Sequence, residues 1–335
     1  MHQPAASLFP VTRREPNSPI TKAHSTLSFV TLDVFTTTRH TGNPLAIVNV
    51  PASLNTLSQS EKQRIAHEFN LSETVFLHEQ TDSDTISSSV RIDIFTAYAE
   101  VFFAGHPTVG TANYLLRILD LQNDSNPALN QVKALQAKAG RFGITLHQAV
   151  NGTRIAVAHD VHIHADHPFA DQPFFDRYQY PVVSIVKGMT FILAQLPDLD
   201  ALARQTKNLL GPENTYTSQD ALDQGWRTGI MATYTRDLRA RVFGSREDPA
   251  TGSAASALAV CLALQMGRAG RYRYRLTQGV EMGQNSQIAV EVSIKLATAT
   301  TEDGTNDMVE VDEVLLSGSA VLTMRGTLEV PDDGD

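Results

Sequence analysis

A turn rich in glycine and hydroxyl-bearing residues occurs twice in this chain, about 145 positions apart. The first copy is Phe103-Ala-Gly-His-Pro-Thr-Val-Gly-Thr-Ala112, and the second is Glu247-Asp-Pro-Ala-Thr-Gly-Ser-Ala254. Each copy leads into a segment rich in alanine and leucine, which is typical of a loop that runs into the N-terminus of a helix. Two such helix starts predict a duplicated fold.

These helix starts indicate the kind of ligand that the chain binds. The first amides of a helix have no partner within the helix and carry partial positive charge, so they favour an anion. If the two copies face each other, they would hold a small carboxylate between them. His106 and Asp248 add titratable side chains at the mouth of this predicted pocket. The sequence therefore indicates proton chemistry on a small acid.

Length and composition exclude several classes of function. The 335 residues suit two domains of typical size, and 42% apolar with 19% charged residues is typical of a soluble globular protein. A net charge of −9 argues against a nucleic-acid partner, which would need clustered lysine and arginine. The longest nearly continuous apolar run, residues 257–264, is far shorter than the ~20 residues that cross a membrane.

The cysteine count and the N-terminal sequence indicate the cellular compartment of the protein. The single cysteine, Cys261, cannot form an intrachain disulfide, and no apolar signal core is present, so we expect a cytoplasmic protein. Residues 1–26 contain four prolines and are predicted to be a flexible extension. A weak organelle-targeting peptide is the alternative for this basic segment.

Hydrophobic periodicity and turn residues predict the order of helices and strands. A capping box, Ser58 with Glu61, marks the start of the first helix. The predicted strands are 27–35, 45–50 (joined to the first by a hairpin), 71–77, 90–95, 142–147, 154–158, 182–185, 230–234, 238–242 and 320–330. The predicted helices are 59–69, 108–119, 198–210 and 253–266.

The last predicted helix is apolar on nearly every face, which favours a helix enclosed by a curved sheet. We therefore expect an α+β fold of two similar halves, each a set of strands around a central helix. A polar linker at 122–130 separates the halves, and the last strand returns to the first half. The predicted domains are 27–125 with 318–332, and 126–317.

Glu73 is the first candidate for catalysis. In a strand over 71–77, alternate side chains share a face, so this carboxylate would point the same way as the apolar Leu71, Val75 and Leu77. A carboxylate removed from water on an apolar face is suited to general acid–base catalysis. A glutamate facing solvent on an edge strand is an equally good interpretation of the spacing alone.

Three further candidates also have ordinary structural interpretations. His106 could bind a ligand or simply cap a helix, and by itself the cap is the more common case. Asp248 before a proline, and Ser253 after a glycine, could each be ordinary residues at a helix start. None of these residues identifies a site in isolation.

Their combination is more specific. The two repeated turns occur in order with Phe35, 42-GNPLA-46, 72-SET-74, Gln278-Gly279 and Met282-Gly283. Together these residues resemble the PhzF family, named for the phenazine-biosynthesis isomerase, within the diaminopimelate-epimerase-like superfamily. The resemblance covers residues 27 to 330, and its two long motifs are specific.

The resemblance implies two pseudo-symmetric domains with the active site in the cleft between them, and a homodimer. It also implies an isomerase, in secondary metabolism, that moves a proton on a small cyclic or aromatic-like carboxylic or amino acid without any cofactor or metal. Glu73 matches the family's acid–base glutamate, and the supporting catalytic residues map onto His106, Asp248 and Ser253. The assigned substrate-binding residues are Gly105, Gly252, Thr251 and Asn43.

Several alternatives remain open at the level of sequence. A racemase with two opposed cysteines is excluded because only Cys261 is present, and its position inside a helix indicates a core residue. A hydrolase built from His106, Asp248 and Ser253 is disfavoured because the aspartate and serine share one turn. A cyclase that uses the same acid–base site, or a binding protein without turnover, stays possible.

Two local features qualify these predictions. Residues 159–167 contain four histidines, but their spacing matches no common zinc signature, and we expect His162 and His164 to face water on a half-buried strand. Family members often carry Thr-Pro where this chain has Thr96-Ala97, and the neighbouring Phe102-Phe103 predicts a more aromatic approach to the site. The substrate of the phenazine enzyme is therefore not assured for this chain.

Overall fold

A computed structural model describes residues 26–54, 57–119, 132–157, 159–164, 181–186, 189–209, 215–216, 228–301 and 304–331. The predicted N-terminal extension up to residue 25 and the predicted linker at 122–130 lie outside these residues. The contacts divide the chain into two compact units. Unit 1 comprises the chain up to His40, Pro44–Ile155 and the chain from Gly318, and unit 2 comprises Thr41–Asn43 and Ala156–Ser317.

The strands and helices, numbered in chain order, have the following bounds. The strands are β1 (Thr26–Val34), β2 (Asn43–Val50), β3 (Thr74–His78), β4 (Ser89–Phe95), β5 (Glu100–Val101), β6 (Ala134–Ala137), β7 (Gly140–His147), β8 (Gly152–Ala156), β9 (His162–Ile163), β10 (Val182–Val186), β11 (Met189–Gln195), β12 (Thr215–Tyr216), β13 (Thr228–Arg236), β14 (Arg239–Phe243), β15 (Glu247–Asp248), β16 (Gly270–Gln278), β17 (Ser286–Thr301), β18 (Gly304–Gly318) and β19 (Ala320–Glu329). The α-helices are α1 (Gln59–Phe69), α2 (Asp82–Ile86), α3 (Gly105–Asn113), α4 (Leu199–Ala203) and α5 (Gly252–Gln265).

In unit 1, each parallel strand pair is bridged by a helix. β2 runs parallel to β3 with α1 between them, and β4 runs parallel to β6 with α3 between them. β3 and β4 are antiparallel, as are β4 and the two-residue β5, and β6 and β7. β19 pairs with β1 along its whole length, so the end of the chain completes unit 1 as expected.

Unit 2 repeats this connectivity. β11 runs parallel to β13 with α4 between them, and β14 runs parallel to β16 with α5 between them. β13 and β14 are antiparallel, as are β14 and the two-residue β15, and β16 and β17. The same order of parallel and antiparallel pairs in both units confirms the predicted α+β fold of two similar halves.

The central helix of each unit is buried. All residues of α3 are buried and pack against β1, β3 and β19, whereas α5 is buried from Gly252 to Cys261 and packs against β10, β11, β16 and β17. Their polar side chains are satisfied by carbonyls one turn earlier: Thr108 Oγ1 donates to Ala104 O, and Ser256 Oγ donates to Gly252 O. These local bonds allow a helix with hydroxyl groups to occupy an apolar core.

The boundary between the halves lies later than expected. The sequence places it after residue 125, but unit 1 extends to Ile155. β6 pairs in parallel with β4, with Ser89 opposite Ala134, and this pairing joins β6 and β7 to unit 1. The predicted domain limits treated the polar linker as the division, whereas strand pairing determines which unit a segment joins.

Several boundaries differ from the sequence predictions for physical reasons. The predicted helix 108–119 begins earlier, at Gly105, and changes at Tyr114 into a π-helical turn, where Leu119 N bonds to Tyr114 O. The predicted helix 198–210 ends at Ala203, and the following Asn208 instead donates its side-chain amide to Phe243 O. By contrast, α1 has the predicted bounds and the predicted capping box of Ser58 and Glu61.

Candidate active site

Glu73 lies in a short bend that follows α1 and ends where β3 begins. The predicted strand 71–77 is therefore too long at its start: β3 begins at Thr74, and Glu73 precedes it. The chain leaves α1 through Asn70, whose left-handed backbone (φ 48°) ends the helix. Glu73 is positioned by a loop held between a capped helix and a buried strand, and its side chain is 18% exposed.

His106 lies directly beside Glu73. His106 Nδ1 is 2.9 Å from Glu73 Oε2, and the histidine side chain is only 3% exposed. Glu73 Oε2 itself is shielded from solvent and lacks the alignment of a hydrogen bond. Catalytic contacts are often poorly aligned before a substrate binds, so the short distance is the relevant observation. The structure thus brings the predicted base and its predicted histidine partner together within unit 1.

His106 belongs to the first turn of α3 and does not precede the helix as expected. α3 begins at Gly105, and its N-cap residue, Ala104, provides no side-chain hydrogen bond. The first bond within the helix runs from Thr108 N to Ala104 O. The amides of Gly105 and His106 precede that bond, at the positive end of the helix dipole.

The second group of site residues surrounds Asp248 in unit 2. Asp248 Oδ1 accepts a hydrogen bond from Asn43 Nδ2 at 2.8 Å, and Oδ2 accepts one from Thr251 Oγ1 at 2.5 Å. Asn43 is 1% exposed, and its amide also donates to Ala250 O at 2.9 Å. Residues 41–43 belong to unit 2, whereas the rest of β2, from Pro44, belongs to unit 1.

Gly252 and Ser253 begin α5 immediately after this loop. Thr251 is the N-cap residue, but its side chain bonds to Asp248 and leaves the helix without a side-chain cap. The first bond within the helix runs from Ala255 N to Thr251 O, so the amides of Gly252 and Ser253 precede it. Ser253 is buried.

The two central helices, α3 and α5, differ from the other α-helices in how their first turns are capped. Within the described residues, α1, α2 and α4 have a side-chain cap, from Ser58, Thr81 and Asp198 respectively. α3 and α5 have none. The two helix starts that the sequence singled out as anion sites are therefore the two that no side chain caps.

The two helix starts occupy equivalent places in their units. In unit 1 the two-residue β5 ends at Val101, four positions before Gly105. In unit 2 the two-residue β15 ends at Asp248, four positions before Gly252. His106 and Ser253 are consequently the second residues of equivalent helices, a correspondence that the repeated turn only suggested.

Gln278 is a member of the second group that sequence reasoning did not assign. It ends β16, is 2% exposed, and bonds to both Asp248 and Thr251. The only signal for it in the sequence was its place in the Gln278-Gly279 pair of the family motifs.

Cys261 lies within α5 and is buried, as predicted. Burial raises the pKa of its thiol, which disfavours the thiolate needed for nucleophilic or acid–base chemistry. The position of this thiol therefore supports the exclusion of a two-cysteine racemase.

The histidine segment is arranged differently from the prediction. His164 is buried and its Nε2 lies 2.8 Å from Ser184 Oγ, whereas Ile163 is largely exposed. The expectation that His162 and His164 face water is therefore wrong for His164, because its hydrogen bond to β10 compensates for its burial. The described residues contain no group of histidine, cysteine and carboxylate side chains arranged to hold a metal ion.

The two phenylalanines just before α3 have different environments in the structure. Phe103 is buried, with its ring 4.9 Å from that of Phe142, so it contributes to the core of unit 1. Phe102 is 59% exposed, and Lys138 Nζ lies 5.0 Å from the centre of its ring.

The chain matches the family model described as phenazine biosynthesis-like protein over residues 32–326. It belongs to this family. An uncharacterized isomerase from Mesorhizobium japonicum is 31% identical over 309 residues, which cover 82% of this chain and 94% of that protein. The trans-2,3-dihydro-3-hydroxyanthranilate isomerase of Pseudomonas fluorescens is 29% identical over 316 residues, covering 90% and 99% of the two chains. The predicted membership of an isomerase family is confirmed.

Solved structures share the fold. A PhzF-family phenazine biosynthesis protein from Bacillus anthracis superposes with a TM-score of 0.62 at 21% identity, covering 91% of this chain and 99% of that one. A probable proline racemase from Agrobacterium radiobacter has a TM-score of 0.55 at 12% identity, covering 92% and 93%. No helix in the described part of the chain is long and apolar enough to cross a membrane.

Proposed function

We propose that this member of the phenazine biosynthesis-like family moves a proton within a small cyclic or aromatic-like carboxylic or amino acid, with Glu73 as general acid and base. The observation that carries the proposal is the 2.9 Å contact between Glu73 Oε2 and His106 Nδ1 at a solvent-shielded carboxylate oxygen. A general acid–base group must be able to reach the substrate while water is kept away from the carboxylate. Glu73 meets both conditions, because its side chain is partly exposed and its Oε2 is shielded from solvent.

The reaction needs no electron carrier. The carboxylate of Glu73 takes a proton from one carbon of the substrate, and the electron pair shifts through the adjacent double bond. The same carboxyl group, which is 18% exposed and exchanges its proton with solvent, returns a proton to another carbon. Atoms and electrons balance within one molecule, so no cofactor is required. His106 Nδ1 lies 2.9 Å from the same carboxyl group, within reach of a hydrogen bond that holds Glu73 in place during the transfer.

We expect the substrate carboxylate to bind at an uncapped helix start, as the family resemblance implies. The amides of Gly105 and Gly252, each the first residue of a central helix, provide donors of the kind that bind carboxylates. Ser253 adds a hydroxyl beside Gly252, while Asn43 and Thr251 hold Asp248 as a fixed acceptor. The family resemblance makes Asp248 and Ser253 supporting residues of the proposed reaction.

The experiment is solvent-deuterium incorporation, with trans-2,3-dihydro-3-hydroxyanthranilate as the first compound because a relative is named for its isomerisation. We expect wild-type protein to introduce deuterium at the carbon that receives the proton. Glu73→Gln should lower this rate by about 100- to 10 000-fold, the range of general acid–base catalysis. Glu68→Gln, at an exposed position on α1, is the matched control and should retain the wild-type rate.

Other results would change the assignment. A Glu73→Gln variant as active as wild type removes Glu73 as the base. A ring-closed product identifies the cyclase alternative, and tight binding of the acid without deuterium incorporation identifies the non-catalytic alternative. Labelling of Ser253 by a fluorophosphonate would favour a hydrolase instead.

We also infer a homodimer in the cytoplasm, with small acids as the only ligands and with neither nucleic acid nor membrane as a partner. The family resemblance supports the dimer, and the acidic composition and the single cysteine support the rest. Sedimentation equilibrium at micromolar concentration tests the dimer directly, since a monomeric mass of 36.6 kDa would contradict it.

A further inference from the structure

Gln278 makes three hydrogen bonds to the loop that precedes α5. Its Nε2 donates to Asp248 O at 2.7 Å and to Thr251 Oγ1 at 3.2 Å, and its Oε1 accepts from Thr251 N at 3.1 Å. The side chain is 2% exposed, so water does not compete for these bonds. One amide thus contacts both ends of the four-residue segment from Asp248 to Thr251.

The partners of this amide fix its orientation. A backbone N–H can only donate and a backbone carbonyl can only accept, so the oxygen of Gln278 must face Thr251 N and its nitrogen must face Asp248 O. The reversed amide would lose both bonds. Gln278 therefore presents N–H groups to the Thr251 hydroxyl in a single arrangement.

This arrangement also sets the direction of the Thr251 hydroxyl. A hydroxyl has one proton, and an amide N–H can only donate to it. Because Thr251 Oγ1 accepts from Gln278, its own proton is directed to Asp248 Oδ2, at 2.5 Å. Asn43 Nδ2 donates to the other carboxylate oxygen, so both oxygens of Asp248 act as acceptors within this network.

The position of Gln278 is itself fixed by the sheet. It lies opposite Ala240 of β14 and Ser286 of β17, so strands on both sides determine its register. The next residue, Gly279, has φ of +74°, and a side chain there would come within 2.6 Å of Pro249 O. The strand end can therefore approach the loop closely enough for all three bonds.

We propose that Gln278 is a positioning residue that holds the loop from Asp248 to Thr251 and directs the Thr251 hydroxyl onto Asp248. Asp248 is then kept as an acceptor at the start of α5 and does not serve as the proton donor of the reaction. We call the three hydrogen bonds between Gln278 and this loop the clamp. Its effect on turnover rests on the proposed function, but the clamp itself can be tested without substrate.

The test uses Gln278→Leu and Gln278→Glu, with Gln287→Glu as the matched control at an exposed position on β17. Hydrogen exchange of the Thr251 amide, measured by NMR, reports on the clamp without substrate. We expect Gln278→Leu to accelerate this exchange about five- to tenfold, the loss of roughly one hydrogen bond. The control should exchange as wild type does.

The pH profile of Gln278→Glu separates a positioning role from a merely structural one. A protonated glutamic acid can donate to Asp248 O and accept from Thr251 N, whereas the ionised form cannot donate. We expect kcat to fall ten- to hundredfold at pH 7 with a smaller change in KM. The ratio of variant to wild-type kcat should rise as the pH is lowered towards about 4.3, the usual pKa of glutamic acid, and Gln278→Leu should show no such rise.

Three separate failures can be distinguished. Wild-type exchange of the Thr251 amide in Gln278→Leu overturns the clamp, whether or not the protein has turnover. Faster exchange with unchanged kcat in both variants overturns the positioning role. A wild-type protein that incorporates no deuterium overturns the proposed function, and that result comes from a different measurement.

Discussion

His106 Nδ1 lies 2.9 Å from Glu73 Oε2, where the first turn of α3 meets the bend before β3. The two residues are 33 positions apart. Glu73 precedes the strand that was predicted to include it, and His106 lies inside the helix that it was predicted to precede. Their contact depends on the parallel pairing of β2 with β3, which fixes the bend, and on the burial of α3 against β1 and β3. This contact between a shielded carboxylate oxygen and an imidazole is the observation on which the proposed proton transfer rests.

His106→Gln should lower the rate of deuterium incorporation by about ten- to a hundredfold while leaving the fold intact. Glutamine keeps a polar side chain but cannot form an ion pair with Glu73. The exchange assay with the same acid measures the effect, and His67→Gln, on the exposed face of α1, serves as the control. An unchanged rate in His106→Gln would show that the histidine has no part in the reaction.

Asn43→Ala should destabilise the protein by about 1–3 kcal/mol, because it removes the buried amide that donates to Ala250 O and to Asp248 Oδ1. Asn43→Asp should be worse, since it places a second carboxylate against Asp248. Urea unfolding at pH 7 gives both free energies. The exposed Asn285→Ala is the control, and equal stability of Asn43→Ala and wild type would contradict this interpretation of the contact.

Asp93 should make stability depend on pH in the acid range. Burial alone would raise the pKa of Asp93, but hydrogen bonds from His78 and Lys62 outweigh it and hold that pKa at about 2. Because the pKa of Asp93 is lower in the folded state than in the unfolded state, its ionised carboxylate stabilises the fold. This stabilisation is complete above the ordinary pKa of 3.8 and is lost as the pH falls through about 2. This difference corresponds to about 2 kcal/mol.

Asp93→Asn should therefore lower the free energy of unfolding by at least about 2 kcal/mol at pH 7, and the gap to wild type should narrow below pH ~4. Urea unfolding at pH 7, 4 and 3 measures the gap. Asp312→Asn, at an exposed ion pair with Lys295, is the control and should leave the free energy of unfolding nearly unchanged. A gap that stays constant with pH would rule out the ion pair as its source.

Cys261→Ala should retain turnover, because the thiol is enclosed in α5 and burial raises its pKa. A thiol reagent such as DTNB should react slowly with the native protein and rapidly in urea. The deuterium assay on Cys261→Ala completes the test. Loss of activity in a folded variant would reopen the racemase chemistry that a single buried cysteine argues against.

The sequence predicted some elements accurately because their determinants are local. Ser58 and Glu61 form a capping box with each other three positions apart, so the start of α1 could be placed from neighbouring residues alone. The helix predicted from Ser253, apolar on nearly every face, likewise indicated an enclosed helix, and α5 is buried from Gly252 to Cys261. Local patterns failed for His164, whose burial depends on Ser184 in a different strand.

The repeated turn, with its glycines, His106, Asp248 and Ser253, determined by itself that the chain is duplicated and that each half contains a buried helix, and it predicted an anion site at the start of each helix. Helix propensity, capping and burial depend on residues close in sequence, which is why these features could be predicted. Only the tertiary structure decided that Glu73 meets His106, that Asn43 reaches Asp248, and that Gln278 holds the Asp248–Thr251 loop. Those contacts join residues from separate strands and loops, and their distances are set by strand register and packing, which no local pattern encodes.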